Sequence, residues 1–294
     1  AVGQLQEGEA RRGYLLRRLR GTVDTVVAKL AEELRSSSFV PLALELSFRE
    51  GGTLPAITIR EAGTTLSVSG VVDRVDGWLE DNRLYIRVVD YKTGKKSFDL
   101  ADIRHGLNLQ MLLYLFALER EGRQLFGYDI VPAGVLYLPA RDVILNMDRW
   151  ADEASLKKAM DKELRRSGLL LGEPEVLRAM EHTALTEPRY LPLALDRSHS
   201  ITKGVATAAE LGKLSRYVDL LLHEIAREIS GGAIDADPCS RGESDNACTY
   251  CEFAPACHFA EGRGTDHYNY IRPVRPEEFW RGVDEALGEE EHHG

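Results

Sequence analysis

The chain has 294 residues and a formal net charge of −10, with 47 acidic against 37 basic side chains. That length allows one large domain or two small ones, and charged and apolar fractions of 29% and 44% are ordinary for a folded globular protein. No apolar run approaches the roughly 20 residues of a membrane span, no secretory signal opens the chain, and the acidic balance does not by itself mark a nucleic-acid binder.

Four cysteines, three of them clustered, favour a metal site in a reducing compartment over a disulfide framework. The chain opens Ala1-Val2-Gly3 without an initiator Met, so a piece of something longer is expected.

Residues 9–36 carry Leu15, Leu16, Leu19, Val23, Val26, Val27, Leu30 and Leu34 at helical spacing and predict an amphipathic helix, closed by Ser36-Ser37-Ser38. A strand is expected from Phe39-Val40-Pro41 through Phe48, with Glu45 inside it, and residues 51–64 read as a Gly-rich turn region. The runs Leu66–Asp76 and Arg83–Lys92 flank the polar Glu80-Asp81-Asn82 and predict a β-hairpin. Side chains two apart share a strand face, so Leu84, Ile86 and Val88 lead along one apolar face into Asp90 and Lys92. A carboxylate and an ammonium ending a buried face are costly unless they are paired or bind something. Asp73, on the partner strand, brings a second carboxylate. Two carboxylates and a lysine suit a hard divalent cation and a phosphate; an ordinary salt bridge from Lys92 to Asp90 or Asp73 is the alternative. Arg74, Arg87, Lys92, Lys95, Lys96 and Arg104 supply either a local phosphate track or a solvated rim.

Asp102 is the expected N-cap of a helix running to about Glu121, with Leu109, Leu112, Leu113, Phe116 and Ala117 as its buried stripe. Gln110 and Tyr114 fall on one face of it. Ala133–Leu138 reads as a short apolar strand. From Trp150 the composition turns to helices and loops: Glu153–Arg166, Pro174–His182, and an exposed excursion over 186–206. The capping box Thr207–Glu210 opens a long helix through Ile229 that Gly231-Gly232 stops. Cys239 then precedes Cys248, Cys251 and Cys257 in a compact C-x2-C-x5-C, where several thiolates can converge on one metal or cluster.

The ordered set Gly70-x-x-Asp73-Arg74-x-Asp76, Asp90-Tyr91-Lys92-Thr93-Gly94 and Gln110-x-x-x-Tyr114 resembles the RecB-like branch of the PD-(D/E)XK nucleases. With Gly106-Leu107, Leu109-Gln110, Tyr114-Leu115 and Ala133–Tyr137 it looks like the AddB-type nuclease domains of bacterial AddAB helicase–nucleases, over most of the chain. The resemblance implies an α/β, restriction-endonuclease-like fold with a mixed central sheet flanked by helices. It implies a nuclease core over 1–149 and a helical extension over 150–294, whose Cys-rich loop at 239–257 packs back on the core.

The activity implied is Mg2+- or Mn2+-dependent exonucleolytic hydrolysis of single-stranded DNA ends. The implied partner is the AddA-type helicase, in double-strand break repair and recombination, in the bacterial cytoplasm at the nucleoid. In this family pattern Asp73, Asp90 and the Tyr91 backbone carbonyl ligate the metal. Glu45 is a further candidate, acting directly or through water, with an edge-strand charge as the alternative. Lys92 orients the attacking water and stabilises phosphate charge, Gln110 and Tyr114 contact the DNA backbone or that water, and Arg74 and Asp76 support the ligands from behind.

Cys248, Cys251 and Cys257 match three ligands of the family's [4Fe-4S] cluster, whose fourth lies upstream of the core. No cysteine precedes Cys239. Removal of an upstream segment is the preferred reading, substitution by Cys239 the other. Zinc on all four thiols, or free thiols, are the alternatives to the cluster. The family's metal-contacting His upstream of the first strand is also missing, the first His being His105. If that His was removed, weak metal binding and poor cutting are expected. The competing class is a nuclease-like module that binds DNA or a helicase without cutting. A nucleotide-binding loop at Thr93–Ser97 is rejected, because Val89 and Lys96 occupy positions that require Gly and Ser or Thr.

Overall fold

The computed structural model describes residues 2–61, 63–141, 143, 145 and 150–293. Its first half contains α1 (Val2–Arg35), β1 (Val40–Phe48), β2 (Ile57–Glu61), β3 (Thr64–Val68), β4 (Gly70–Glu80), β5 (Arg83–Lys92), α2 (Leu100–Arg104), α3 (Gln110–Phe126) and β6 (Asp129–Pro139). There follow α4 (Glu153–Glu163), β7 (Ser167–Leu171), α5 (Pro174–Met180), β8 (Ala194–Leu195), β9 (Ile201–Lys203), β10 (Val205–Ala206) and α6 (Ala208–Gly231). The chain ends with β11 (Cys239–Gly242), β12 (Asp245–Asn246), α7 (Ala254–Cys257), β13 (Asn269–Tyr270) and α8 (Pro276–His293). These elements form two units, one of Ala1–Pro55, Ser69–Phe98 and Tyr114–Leu211, the other of Ala56–Val68, Asp99–Leu113 and Gly212–Gly294.

The first unit is built on a six-stranded sheet in the order β1-β4-β5-β6-β7-β10. It is mixed: β5 runs parallel to β6 and β10 parallel to β7, while the other neighbours are antiparallel. A parallel neighbour needs a crossover, and the segment with α3 supplies it between β5 and β6. The β4–β5 hairpin turns through Asp81 and Asn82, both with positive φ (47° and 61°), as a two-residue loop matched to strand twist demands. The hairpin is shorter at its start than the sequence suggests. Residues 64–68 separate as β3 and pair in the second unit with β2, which lies in the stretch 51–64 read as turn. The sheet also continues beyond residue 149, through β7 and β10, so the expected core boundary there does not divide the structure. Residue 149 itself lies outside the described residues.

The central strand β5 is buried on both faces, not one. Leu84, Ile86 and Val88 cover the face that ends in Asp90, and Tyr85, Arg87 and Val89 the other. The second face hides a charge network. Arg74 lies 2.8 Å through Nε from Asp76 Oδ1, and Arg87 Nε donates to Asp76 Oδ2 at 2.9 Å. Arg87 Nη2 stands 3.6 Å from Glu33 of α1, and Arg166 donates to the same Glu33. Burial works to raise the Glu33 carboxyl, but the guanidinium charges of Arg166, Arg87 and Arg74 outweigh it and hold it below its ordinary range.

Two other expectations for this unit are revised. The apolar stripe of α1 is exposed at Leu15, Leu16, Leu19, Val23 and Val27, while Glu33 near the helix's C-terminal end is buried. Residues 186–206 are no free excursion, since Tyr190, Leu191 and Leu193 are buried. The Glu181 carboxylate accepts the N–H groups of Arg189, Tyr190 and Leu191 at 2.7, 3.2 and 3.1 Å, which ties that segment down.

The second unit holds the β2–β3 pair, the small β12-β11-β13 sheet, α2, α8 and nearly all of α6. Asp99, not Asp102, caps α2, accepting the Ala101 N–H at 2.9 Å. Asp102 sits inside that helix and is buried, bonded by Asn108 Nδ2 at 2.6 Å and by Arg241. Left-handed φ at Gly106 (69°) and Asn108 (55°) breaks the helix, so α3 starts anew at Gln110. No helix among the described residues is long and apolar enough to cross a membrane.

Candidate active site

Antiparallel pairing sets Arg74 of β4 opposite Val89 of β5, and one residue further this register brings Asp73 opposite Asp90. Both side chains leave the sheet on the face opposite the Arg74–Asp76–Arg87 network, because neighbouring residues alternate. Asp73 Oδ2 accepts the Tyr91 N–H at 2.8 Å, which fixes that carboxylate against the backbone of β5. Asp90 is only 7% exposed. The Lys92 ammonium reaches Asp90 Oδ2 at 2.7 Å, off the angle of a hydrogen bond, and lies 5.9 Å from the Tyr137 ring centroid.

Burial pushes the Asp90 carboxyl above its ordinary range; Lys92 draws it back, and the Asp73 charge pushes it further up. Two carboxylates thus repel each other at the end of two adjoining strands, with Lys92 paired to Asp90. Added positive charge, bound between them, relieves both the repulsion and the desolvation of Asp90.

The donors are hard oxygens, which fits Mg2+ or Mn2+ rather than a thiophilic ion. Among the described residues no three or more His, Cys, Asp or Glu side chains gather into a metal cage. Two carboxylates do not exclude Mg2+, which commonly takes one or two from the protein and completes its shell with water and substrate phosphate.

The other expected site residues fall as follows. Glu45 lies between Leu44, opposite Arg74, and Leu46, opposite Val72, and so alongside Asp73 on the edge strand. Its φ of 51° is the left-handed region, unusual for a residue with a side chain and a known companion of functional sites. Tyr114 is buried and stacks on Phe48 with centroids 5.5 Å apart at 11°. A Cβ at position 70 would meet the Tyr114 hydroxyl and lie 2.8 Å from its Cζ, so the glycine makes room for this ring. Gln110 is exposed, opens α3 and belongs to the second unit.

Asp76 does not reach the proposed metal ligands, and Arg74 does so only through Tyr91. Both side chains project to the other face, where Arg74 Nη1 donates to the Tyr91 hydroxyl at 2.7 Å. Arg74 and Arg87 are also no phosphate track, since both are fully buried in ion pairs. Arg104 is exposed in the second unit, 3.5 Å from Glu278. Cys239 and Cys248 are half-buried, Cys251 and Cys257 exposed, all four with free thiols. They do not converge as three or four ligands, so the residues as placed do not form a cluster or zinc site.

Lys92, Lys95 and Lys96, expected as part of a phosphate track or rim, are joined by three cations that sequence reasoning missed, Arg141, Lys162 and Arg165. The end of β5 opens on a cavity of about 370 Å³ lined by Lys92, Lys95, Lys96, Arg141, Lys162 and Arg165. The last three come from far along the chain, and no spacing signal joins them to Lys92.

A mixed sheet flanked by helices, with an acidic pair and a lysine on adjoining strands, places the first unit in the restriction-endonuclease-like class of α/β folds. Residues 2–258 match the family described as the PD-(D/E)XK nuclease superfamily, and the chain belongs to that superfamily. It is 34% identical over 284 residues to the B subunit of the ATP-dependent helicase/deoxyribonuclease of Desulforudis audaxviator, covering 96% of this chain and 24% of the relative. The proteins of the same description from Acetivibrio thermocellus (32% over 266 residues, 90% and 23% covered) and Bacillus thuringiensis (32% over 285 residues, 94% and 24% covered) are similar to it as well. The chain spans about a quarter of the length of these curated relatives.

Proposed function

We propose that this chain is a DNA-cutting domain that hydrolyses phosphodiester bonds at single-stranded ends with a divalent cation, Mg2+ or Mn2+, beside an ATP-driven helicase. One observation carries the reading. Asp73 and Asp90 face each other across β4 and β5 with the Lys92 ammonium 2.7 Å from Asp90, in a chain of a nuclease superfamily. The helicase partner and the DNA substrate rest on the relatives' description as part of a helicase/deoxyribonuclease, and work in break repair on the resemblance to the AddB-type domains alone.

Asp73, Asp90 and the Tyr91 carbonyl are the residues we assign to the cation, with Glu45 as a further oxygen donor. When bound, the ion acidifies a water and polarises a phosphoryl oxygen. Asp73 is oriented by the Tyr91 N–H, and Tyr91 in turn is anchored through its hydroxyl by Arg74. Lys92 presents its ammonium beside Asp90, where it donates to phosphate oxygens as negative charge grows. Gln110 is assigned to the DNA backbone, and Tyr114 to holding the start of β4 through its wedge against Gly70. The [4Fe-4S] cluster, and zinc as its alternative, rest on the resemblance around Cys248, Cys251 and Cys257 alone; iron and zinc analysis of the purified protein tests them.

Release of acid-soluble nucleotides from labelled single-stranded DNA tests the reading. Release with Mg2+, none with a chelator and none from a folded Asp90→Ala variant is expected. Equal release by Asp90→Ala removes this site from the chemistry. Strand binding without release at any cation favours the non-cutting module.

A further inference from the structure

The whole chain carries a net charge of −10, yet among the described residues the cavity at the end of β5 is lined by six cationic side chains and one carboxylate, Glu163. We infer that this cavity binds backbone phosphates of the DNA strand next to the bond being cut, an inference that rests on the nuclease reading for what the neighbouring site does. Lys92 belongs to both the acidic pair and the cavity wall, so a strand crossing the one enters the other.

The walls come from four places in the first unit: the end of β5 and the residues after it (Lys92, Lys95, Lys96), the second residue after β6 (Arg141), the end of α4 (Lys162) and the link to β7 (Arg165). Arg165 donates only to neutral carbonyls, those of Pro188 at 2.7 Å and Leu193 at 3.5 Å. Arg141 is bonded at 3.0 Å to the Glu163 carboxylate, and Lys92 is paired with Asp90 at 2.7 Å. The Arg141 hydrogen bond, followed by the charge of Lys95, holds Glu163 below the ordinary carboxylate range, while Lys162 adds a smaller pull. Glu163 therefore stays ionised near neutral pH and is the repulsive group among the described lining residues. A concave wall of one sign raises the local concentration of the opposite charge.

The lining also says what is not read. Tyr137, the one aromatic ring of the wall, is buried and sits under the Lys92 ammonium, so its face is not offered to a base. Contacts to phosphate without contacts to base edges fix a strand's position and carry no sequence preference.

The test is fluorescence anisotropy of labelled oligothymidylate with this chain in chelator, where no cutting occurs, over a range of salt. Lys95→Gln with Lys162→Gln leaves the acidic pair and Lys92 intact. Losing two phosphate contacts should flatten the logarithmic salt slope by about 1.4 and weaken binding on the order of ten- to thirty-fold at roughly 0.1 M salt. Glu163→Gln should tighten binding several-fold. Lys157→Gln with Lys158→Gln makes the same charge change on α4 outside the cavity and should have little effect. Mixed-sequence strands should bind like oligothymidylate, and thymidine monophosphate should compete only weakly.

Wild-type affinity in the Lys95/Lys162 variant, an equal loss in the Lys157/Lys158 control, or displacement by micromolar mononucleotide overturns the inference. A second arm separates it from the nuclease reading. With Mg2+, thymidine 5′-(p-nitrophenyl phosphate), which has no neighbouring phosphate, should be cleaved equally by wild type and the Lys95/Lys162 variant, while KM for the polymer rises. A wild-type chain that cleaves neither substrate defeats the nuclease reading, and the anisotropy still decides the cavity.

Discussion

Asp76→Ala separates the residues that hold the sheet from those proposed to do chemistry. Asp76 is 0% exposed and accepts from two guanidinium groups, Arg74 Nη2 at 3.1 Å and Arg87 Nε at 2.9 Å. Its removal leaves Glu33 to balance Arg87 and Arg166, and leaves Arg74 with the Tyr91 hydroxyl. Taking one partner from a buried ion pair costs about 3–5 kcal/mol, since the remaining charge is neither solvated nor paired. For a unit of this size that corresponds to a melting point lower by roughly 10 °C. Urea denaturation followed by circular dichroism measures it. The same network sets an acid limit. Glu33 has a depressed folded pKa, so its share of stability is present above 4.5 and is lost as pH falls through the folded value. Glu33→Gln should weaken the wild-type loss of stability on acidification. A loss below about 1 kcal/mol for Asp76→Ala would show that these charges are not the buried network described here.

The remaining predictions concern the site face. Asp90→Asn in the metal-free chain should hold or raise stability near neutral pH, because the folded carboxyl titrates above its ordinary 3.8. A raised folded pKa means stability is greatest at low pH and falls as pH rises through it, so wild type and variant should diverge in that direction in denaturation curves. The same substitution should abolish DNA cleavage, the stability–activity opposition expected of a functional carboxylate. Gly70→Ala should cost about 1–3 kcal/mol by overpacking against Tyr114, and Tyr114→Phe in the same chain should restore part of it. Additive losses in that double-mutant cycle would mean the ring and the glycine do not share the space.

Much of the site's address is legible in the sequence, because the two-residue period of β5 aligns Ile86, Val88, Asp90 and Lys92 on one face. The hairpin itself follows from the polar Asp81-Asn82 between two β-rich runs. What the period cannot say is how many faces are covered. Arg74, Asp76 and Arg87 look like surface charges or metal supports in the sequence, and only the approach of Glu33 and Arg166 makes a buried network of them. The apolar stripe of α1 errs the other way, since periodicity reports amphipathicity and not whether a partner surface is present. The break between α2 and α3 depends on left-handed φ at Asn108, a conformation its residue type permits but does not announce. The cavity wall joins Lys95 to Arg141, Lys162 and Arg165, a meeting made by sheet order alone.

Mn2+ titration of the chain, followed by the loss of free-ion electron paramagnetic resonance signal, tests the central assignment most directly. Saturable binding that Mg2+ displaces, and that Asp73→Asn and Asp90→Asn each weaken by at least tenfold while Asp76→Asn leaves it within a few-fold, is the predicted result. Undiminished binding in the Asp73 and Asp90 variants, or a loss as large in Asp76→Asn, would contradict it.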